Sequence, residues 1–129
     1  MSILKEIPYQ QVYKKRSPAQ HSIYEILQHM LAWRTLFVKR LNGDGASKIK
    51  LNSLEDWPTL PADQTAGNWN KLLQQLSANQ QQLVASLQLQ QDKMLEKEFL
   101  NTKASLETHL IGILQYDIYH IGQIAFCKS

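Results

Sequence analysis

From Ser22 to Leu41 the apolar residues Ile23, Ile26, Leu27, Met30, Trp33, Phe37 and Leu41 recur at three- and four-residue steps, the spacing of an amphipathic helix. Ser22 is a plausible N-cap with Glu25 three residues on, a capping-box spacing, and Asn42-Gly43 supply a stop. Between Thr65 and Gln91 a second stripe of Trp69, Leu72, Leu73, Leu76, Leu83 and Leu87 predicts another long helix. Its other face is crowded with glutamine and nearly free of charge; the intact stripe argues that this tract packs rather than remaining disordered. After a mixed segment from Asp92, Ser105 to Thr108 opens a third helix running to about Cys127, with Leu106, Leu110, Ile113, Leu114, Ile121, Ile124 and Ala125 as its stripe. Gly122 in that helix reads as a point of close helix packing.

Gly43, Gly45, Pro58 and Pro61 break both helix and strand, so Asn42 to Asp63 is expected to be a long surface connection. Ahead of Ser22 there is only a short helical piece around Pro8 to Lys15, with Pro8 suited to its first turn. No run alternates at period two long enough to require a strand, and the fold class is all-α. Three long helices make an incomplete square, which either a short fourth element or a partner chain must close.

Composition narrows the function. A chain of 129 residues suits a single domain over residues 1–129 with a genuine core. Fourteen basic against eleven acidic side chains leave +3, and the one dense basic run, Lys14-Lys15-Arg16, stands alone. Nucleic-acid binders spread such charge along a stripe, so no nucleic-acid partner is expected. The single cysteine, Cys127, cannot form an intrachain disulfide and fits a reducing, cytoplasmic location. Apolar runs fall far short of the ~20 residues that span a bilayer, and no membrane partner is expected. Neither a nucleophile-elbow serine motif nor a glycine-rich phosphate loop occurs.

The chemistry gathers in the closing segment. Residues four apart share a helix face, so Tyr116 and His120 project together, and a bundle can bring His29 from the first long helix to meet them. His109 lies eleven residues from His120, about 16 Å along the axis, too far to join it. Asp117 projects near the middle of the apolar stripe, where an unpaired carboxylate costs several kcal/mol. Its partner is a backbone amide, a tyrosine hydroxyl, an arginine such as Arg34, or the free ring nitrogen of a metal-bound histidine.

Three stretches, His21-Ser22-Ile23-Tyr24-Glu25-Ile26-Leu27-Gln28-His29, Glu55-Asp56-Trp57-Pro58-Thr59-Leu60-Pro61 with Trp69, and Gln115 to Ile124, together resemble the DinB/YfiT-like superfamily of metal-dependent enzymes. The resemblance implies an antiparallel helical bundle with a divalent metal, zinc or nickel, held near one end by three histidines. One comes from the family's second helix and two from a His-x-x-x-His pair in the last. Carried onto this chain, His29 and His120 match the first and third ligands, and Tyr116 stands where the second histidine is expected.

Neutral tyrosine is a poor zinc ligand, so the resemblance implies a degenerate metal site, with no cofactor as one outcome. The alternative is an active transferase or hydrolase, in some relatives assisted by a thiol cosubstrate, in which His29 and His120 bind metal and Asp117 or Glu25 acts as supporting base. A small-molecule ligand is implied in either case. The family's long first helix is short or missing here, and the apolar surface this exposes implies a homodimer.

Overall fold

The computed structural model describes residues 2–44, 47–89, 115, 117 and 119–124. Two short helices, α1 (Ser2–Lys5) and α2 (Tyr9–Val12), lead into the long helices α3 (Ile23–Leu41) and α4 (Ala66–Gln88). The described closing residues, 115, 117 and 119–124, are helical as well, and no strand occurs among the described residues. The final helix expected from Ser105 to Cys127 otherwise lies outside them.

The start of α3 follows its sequence signal. The Ser22 hydroxyl accepts from the Glu25 amide at 3.2 Å and the Glu25 carboxylate accepts from the Ser22 amide at 3.0 Å, a complete capping box. The helix ends at Asn42, followed by Gly43 at φ +98, a left-handed conformation that glycine adopts without strain. Thr65 caps α4 by accepting from the Asn68 amide, so that helix begins where its stripe begins. Pro8 stands just ahead of α2 as its N-cap residue.

Side-chain pairs fix the direction of each helix. Tyr24 reaches the Asn68 carbonyl, Arg34 reaches Asn79 and Asn42 reaches Ser86, at separations of 44, 45 and 44 positions. Residue numbers therefore rise together, and α3 and α4 run parallel. Against the closing segment the order reverses, with His29 meeting His120 and Arg34 meeting Asp117. The antiparallel arrangement thus holds between α3 and the closing segment, whereas α4 returns in the direction of α3.

A parallel pair cannot be joined by a tight turn. The connection must travel back along α3, which at 19 residues is about 28 Å long. The breaker-rich chain between Asn42 and Thr65 makes that journey, and in doing so it lays Asp56, Trp57 and Thr59 against the N-terminal half of α3. Helix direction and site composition have the same cause.

The core joins α1 to α4 and Ile124 of the closing segment around Val12, Ile23, Ile26, Leu27, Leu72 and Leu76, each almost fully buried. Tyr13 stacks on Tyr24 with ring centres 4.9 Å apart and donates its hydroxyl to the Thr65 carbonyl at 2.7 Å, tying the N-terminal piece to the start of α4. One closing-helix expectation fails. Ile121, placed on the apolar stripe, is 58% exposed. Around Gly122 a Cβ would meet nothing within 4 Å among the described residues. Ile124 of the same stripe is buried, and Asp117, placed near the middle of that stripe, pairs with Arg34 of α3.

Candidate metal centre

His29 lies on α3, where its ring is held from two directions. Its Nδ1 is 2.8 Å from the Asp56 carbonyl oxygen and 2.9 Å from the Asp56 Oδ1. Both partners are acceptors, so Nδ1 carries a proton and donates; in the neutral ring the lone pair is then on Nε2. One face of the ring stacks on Trp57, with centres 3.9 Å apart and planes within 3°. His21 stacks on the indole at 3.7 Å and 8°, making a three-ring stack. A histidine whose donor nitrogen is pinned by a carboxylate and a carbonyl is the arrangement that orients metal ligands.

Asp56 is the residue that sequence reasoning placed only within a resemblance and gave no role. It is 3% exposed, with Oδ1 accepting from the Trp33 indole at 2.7 Å and Oδ2 from the Asn52 amide at 2.8 Å. Asn52 takes a positive φ of 59, which aims its amide back at the carboxylate. Burial pushes the Asp56 carboxyl up, but the Asn52 amide, the Trp33 indole and His29 outweigh it and hold the group below its ordinary value.

His120 meets His29 edge to face, with ring centres 4.8 Å apart and planes at 80°. Its Nδ1 donates to Gln123 Oε1 at 2.7 Å, which again assigns the lone pair to Nε2, an atom shielded from solvent. Burial and the neighbouring His29 lower the His120 pKa below 6.5 against the opposing pull of Gln123 and Asp117, so the ring is neutral at neutral pH, the form that binds metal.

The other two carboxylates have different settings. Asp117 pairs with Arg34 at 2.5 Å, the arginine being one of its four anticipated partners. Arg34 is itself buried, donates to Asn79 at 2.9 Å and bonds Gln80, so one guanidinium links α3, α4 and the closing helix. Burial raises the Asp117 carboxyl and Arg34 pulls it part of the way back. Glu25 caps α3, with Lys15 and His21 each 3.6 Å from its carboxylate. Tyr116 lies outside the described residues.

The spacing of the two rings can be compared with that of two imidazoles on one ion. Two imidazole nitrogens about 2 Å from one tetrahedral centre place their rings about 5 Å apart, close to the separation of His29 and His120. Among the described residues no group of three His, Cys, Asp or Glu comes together as a metal site, so these residues supply two donors and no third.

A comparison with curated proteins and one with solved structures return no match. No helix among the described residues is long and apolar enough to cross a membrane. The profile of the DinB superfamily matches residues 1–124, nearly the whole chain. With its helical architecture, the chain belongs to the DinB superfamily.

Proposed function

We propose that this chain keeps a degenerate divalent-metal site in which His29 and His120 are the surviving ligands and Tyr116 fills the place of the third. The observation that carries the reading is the paired tautomer. Both rings spend Nδ1 on an oxygen acceptor and meet at 4.8 Å, as two ligands of one ion do. Zinc or nickel, when bound there, supplies a Lewis acid that activates a coordinated water or thiol. The protein's own part is to orient and shield. Asp56 sets the tautomer of His29, Trp57 covers one face of its ring, and Asp117 clamps the closing helix through Arg34. Glu25 serves mainly to start α3. The protein works as a cytoplasmic homodimer with a small-molecule ligand, and its single cysteine suits that compartment.

Zinc competition against a chromophoric chelator tests this. Structural zinc with four ligands is worth about 10–16 kcal/mol, some 3 per ligand, so restoring one should tighten binding by about 100-fold or more. Tyr116→His is expected to show that gain, and Tyr116→His with His120→Ala to lose it. If the native chain already holds one metal per protomer through chelator dialysis, the degenerate reading is wrong. A working metal-dependent transferase or hydrolase, with a thiol cosubstrate to be sought, then takes its place.

A further inference from the structure

Helix α4 has 23 residues and one charged side chain, Lys71, in a chain that is 19% charged. A solvated helix normally carries charge on its outer face. Depletion of charge, with neutral and apolar groups in its place, is instead the compositional mark of the centre of an interface. One flank of α4 borders a groove. Leu73, Gln74, Ser77 and Gln81 line an open groove of about 870 Å³, and its far wall is formed by the N-terminal piece at Ile7 and Tyr9. Gln74, Ser77 and Gln81 are exposed, while Leu73 packs partly against the core. Helices α1 and α2 have four residues each, about 6 Å apiece, and cannot cover a helix of about 35 Å.

We infer that this flank of α4 is the homodimer contact, packed against the same flank of a second copy about a two-fold axis. The inference rests on the homodimeric reading above and does not depend on metal. Charge complementarity selects the occupant. A two-fold axis brings each patch against its own copy, so a face of like charges repels itself. Carboxamides both donate and accept, and a row of glutamines can pair with an identical row. Among the described residues of the groove and α4, a strongly charged partner would find only Lys5 and Lys71 to answer it. Leu73 supplies the apolar centre, and the amides around it form the polar rim that such contacts carry.

Light scattering on the full chain at micromolar concentration, coupled to gel filtration, tests the assignment. The native protein is expected to be a dimer. Gln74→Glu with Ser77→Glu sets four carboxylates at the axis and should weaken self-association by at least about tenfold, while Thr35→Glu on exposed α3 surface should leave the dimer intact. Circular dichroism confirms that each variant is folded. Gln74→Lys with Ser77→Lys should likewise be monomeric alone, and mixing it with the glutamate variant should restore a dimer of one copy of each. A monomeric native chain overturns the homodimeric reading and the interface together. A native dimer that survives both charged variants overturns only the choice of face.

Discussion

Replacing Arg34 with methionine is expected to destabilise the protein by about 3–5 kcal/mol, the usual cost of removing one partner from a buried ion pair. The side chain is 6% exposed and ties three helices together through Asp117, Asn79 and Gln80. Without it the Asp117 carboxylate loses the one cation bonded to it among the described residues, and the buried Asn79 oxygen loses its donor. A domain of this size has about 5–15 kcal/mol of stability in all, so the midpoint of thermal unfolding should fall by about 10 °C or more. Adding Asp117→Leu should recover part of the loss, because the orphaned charge and not the missing attraction is the larger cost. A loss under about 1 kcal/mol in the single variant would show that water or another group satisfies the carboxylate.

Asp56→Ala should cost about 2–4 kcal/mol, since the Trp33 indole and His29 Nδ1 both lose an oxygen partner inside the fold. The Asn52 amide also loses its acceptor, at less cost because Asn52 is exposed. The pH dependence has a definite sign. The folded carboxyl sits below its ordinary value of 3.8, so its contribution is fully present above that value and is lost as pH falls through the lower folded one. Chemical denaturation of native protein between about pH 5 and pH 2 should show this loss, and the alanine variant should show a shallower acid limb. An unchanged acid limb would place the native charge dependence elsewhere. In the Tyr116→His background the same change should weaken zinc binding by about 10-fold, because His29 keeps the backbone carbonyl at Nδ1 but loses the carboxylate that raises its basicity.

Much of the fold is written in local pattern. The stripes of α3 and α4, the Ser22–Glu25 box and the Asn42-Gly43 stop are short-range features that act within a few turns, and the structure follows them closely. The direction of α4 is not local. It depends on whether the chain between Asn42 and Thr65 turns back at once or travels the length of α3, and a run of helix breakers permits both.

Asp56 was hidden for a related reason. A loop residue has no periodicity to place it, and its role exists only because the crossing connection passes His29. Its signal was the Asp56-Trp57-Pro58 stretch, where an acidic residue adjoins a tryptophan beside prolines in a loop otherwise rich in turn formers. Ile121 shows the converse limit. Apolar projection assigned it inward together with Ile124, and of the two only Ile124 is buried. His29 and His120 were legible as a pair because both sit on helices at the edge of an apolar face.

On the proposed reading, His29 and His120 offer their Nε2 atoms to one shared ion. Long-range proton–nitrogen correlation spectra of the histidine rings, recorded through a zinc titration of the native chain, test it most directly. The chain has four histidines, so each can be followed separately. Both site rings should begin as the Nδ1–H tautomer, and their Nε2 signals should move together with a single midpoint while His21 and His109 stay unchanged. Separate midpoints for His29 and His120, or an Nε2–H tautomer on either ring before zinc is added, would contradict the shared site.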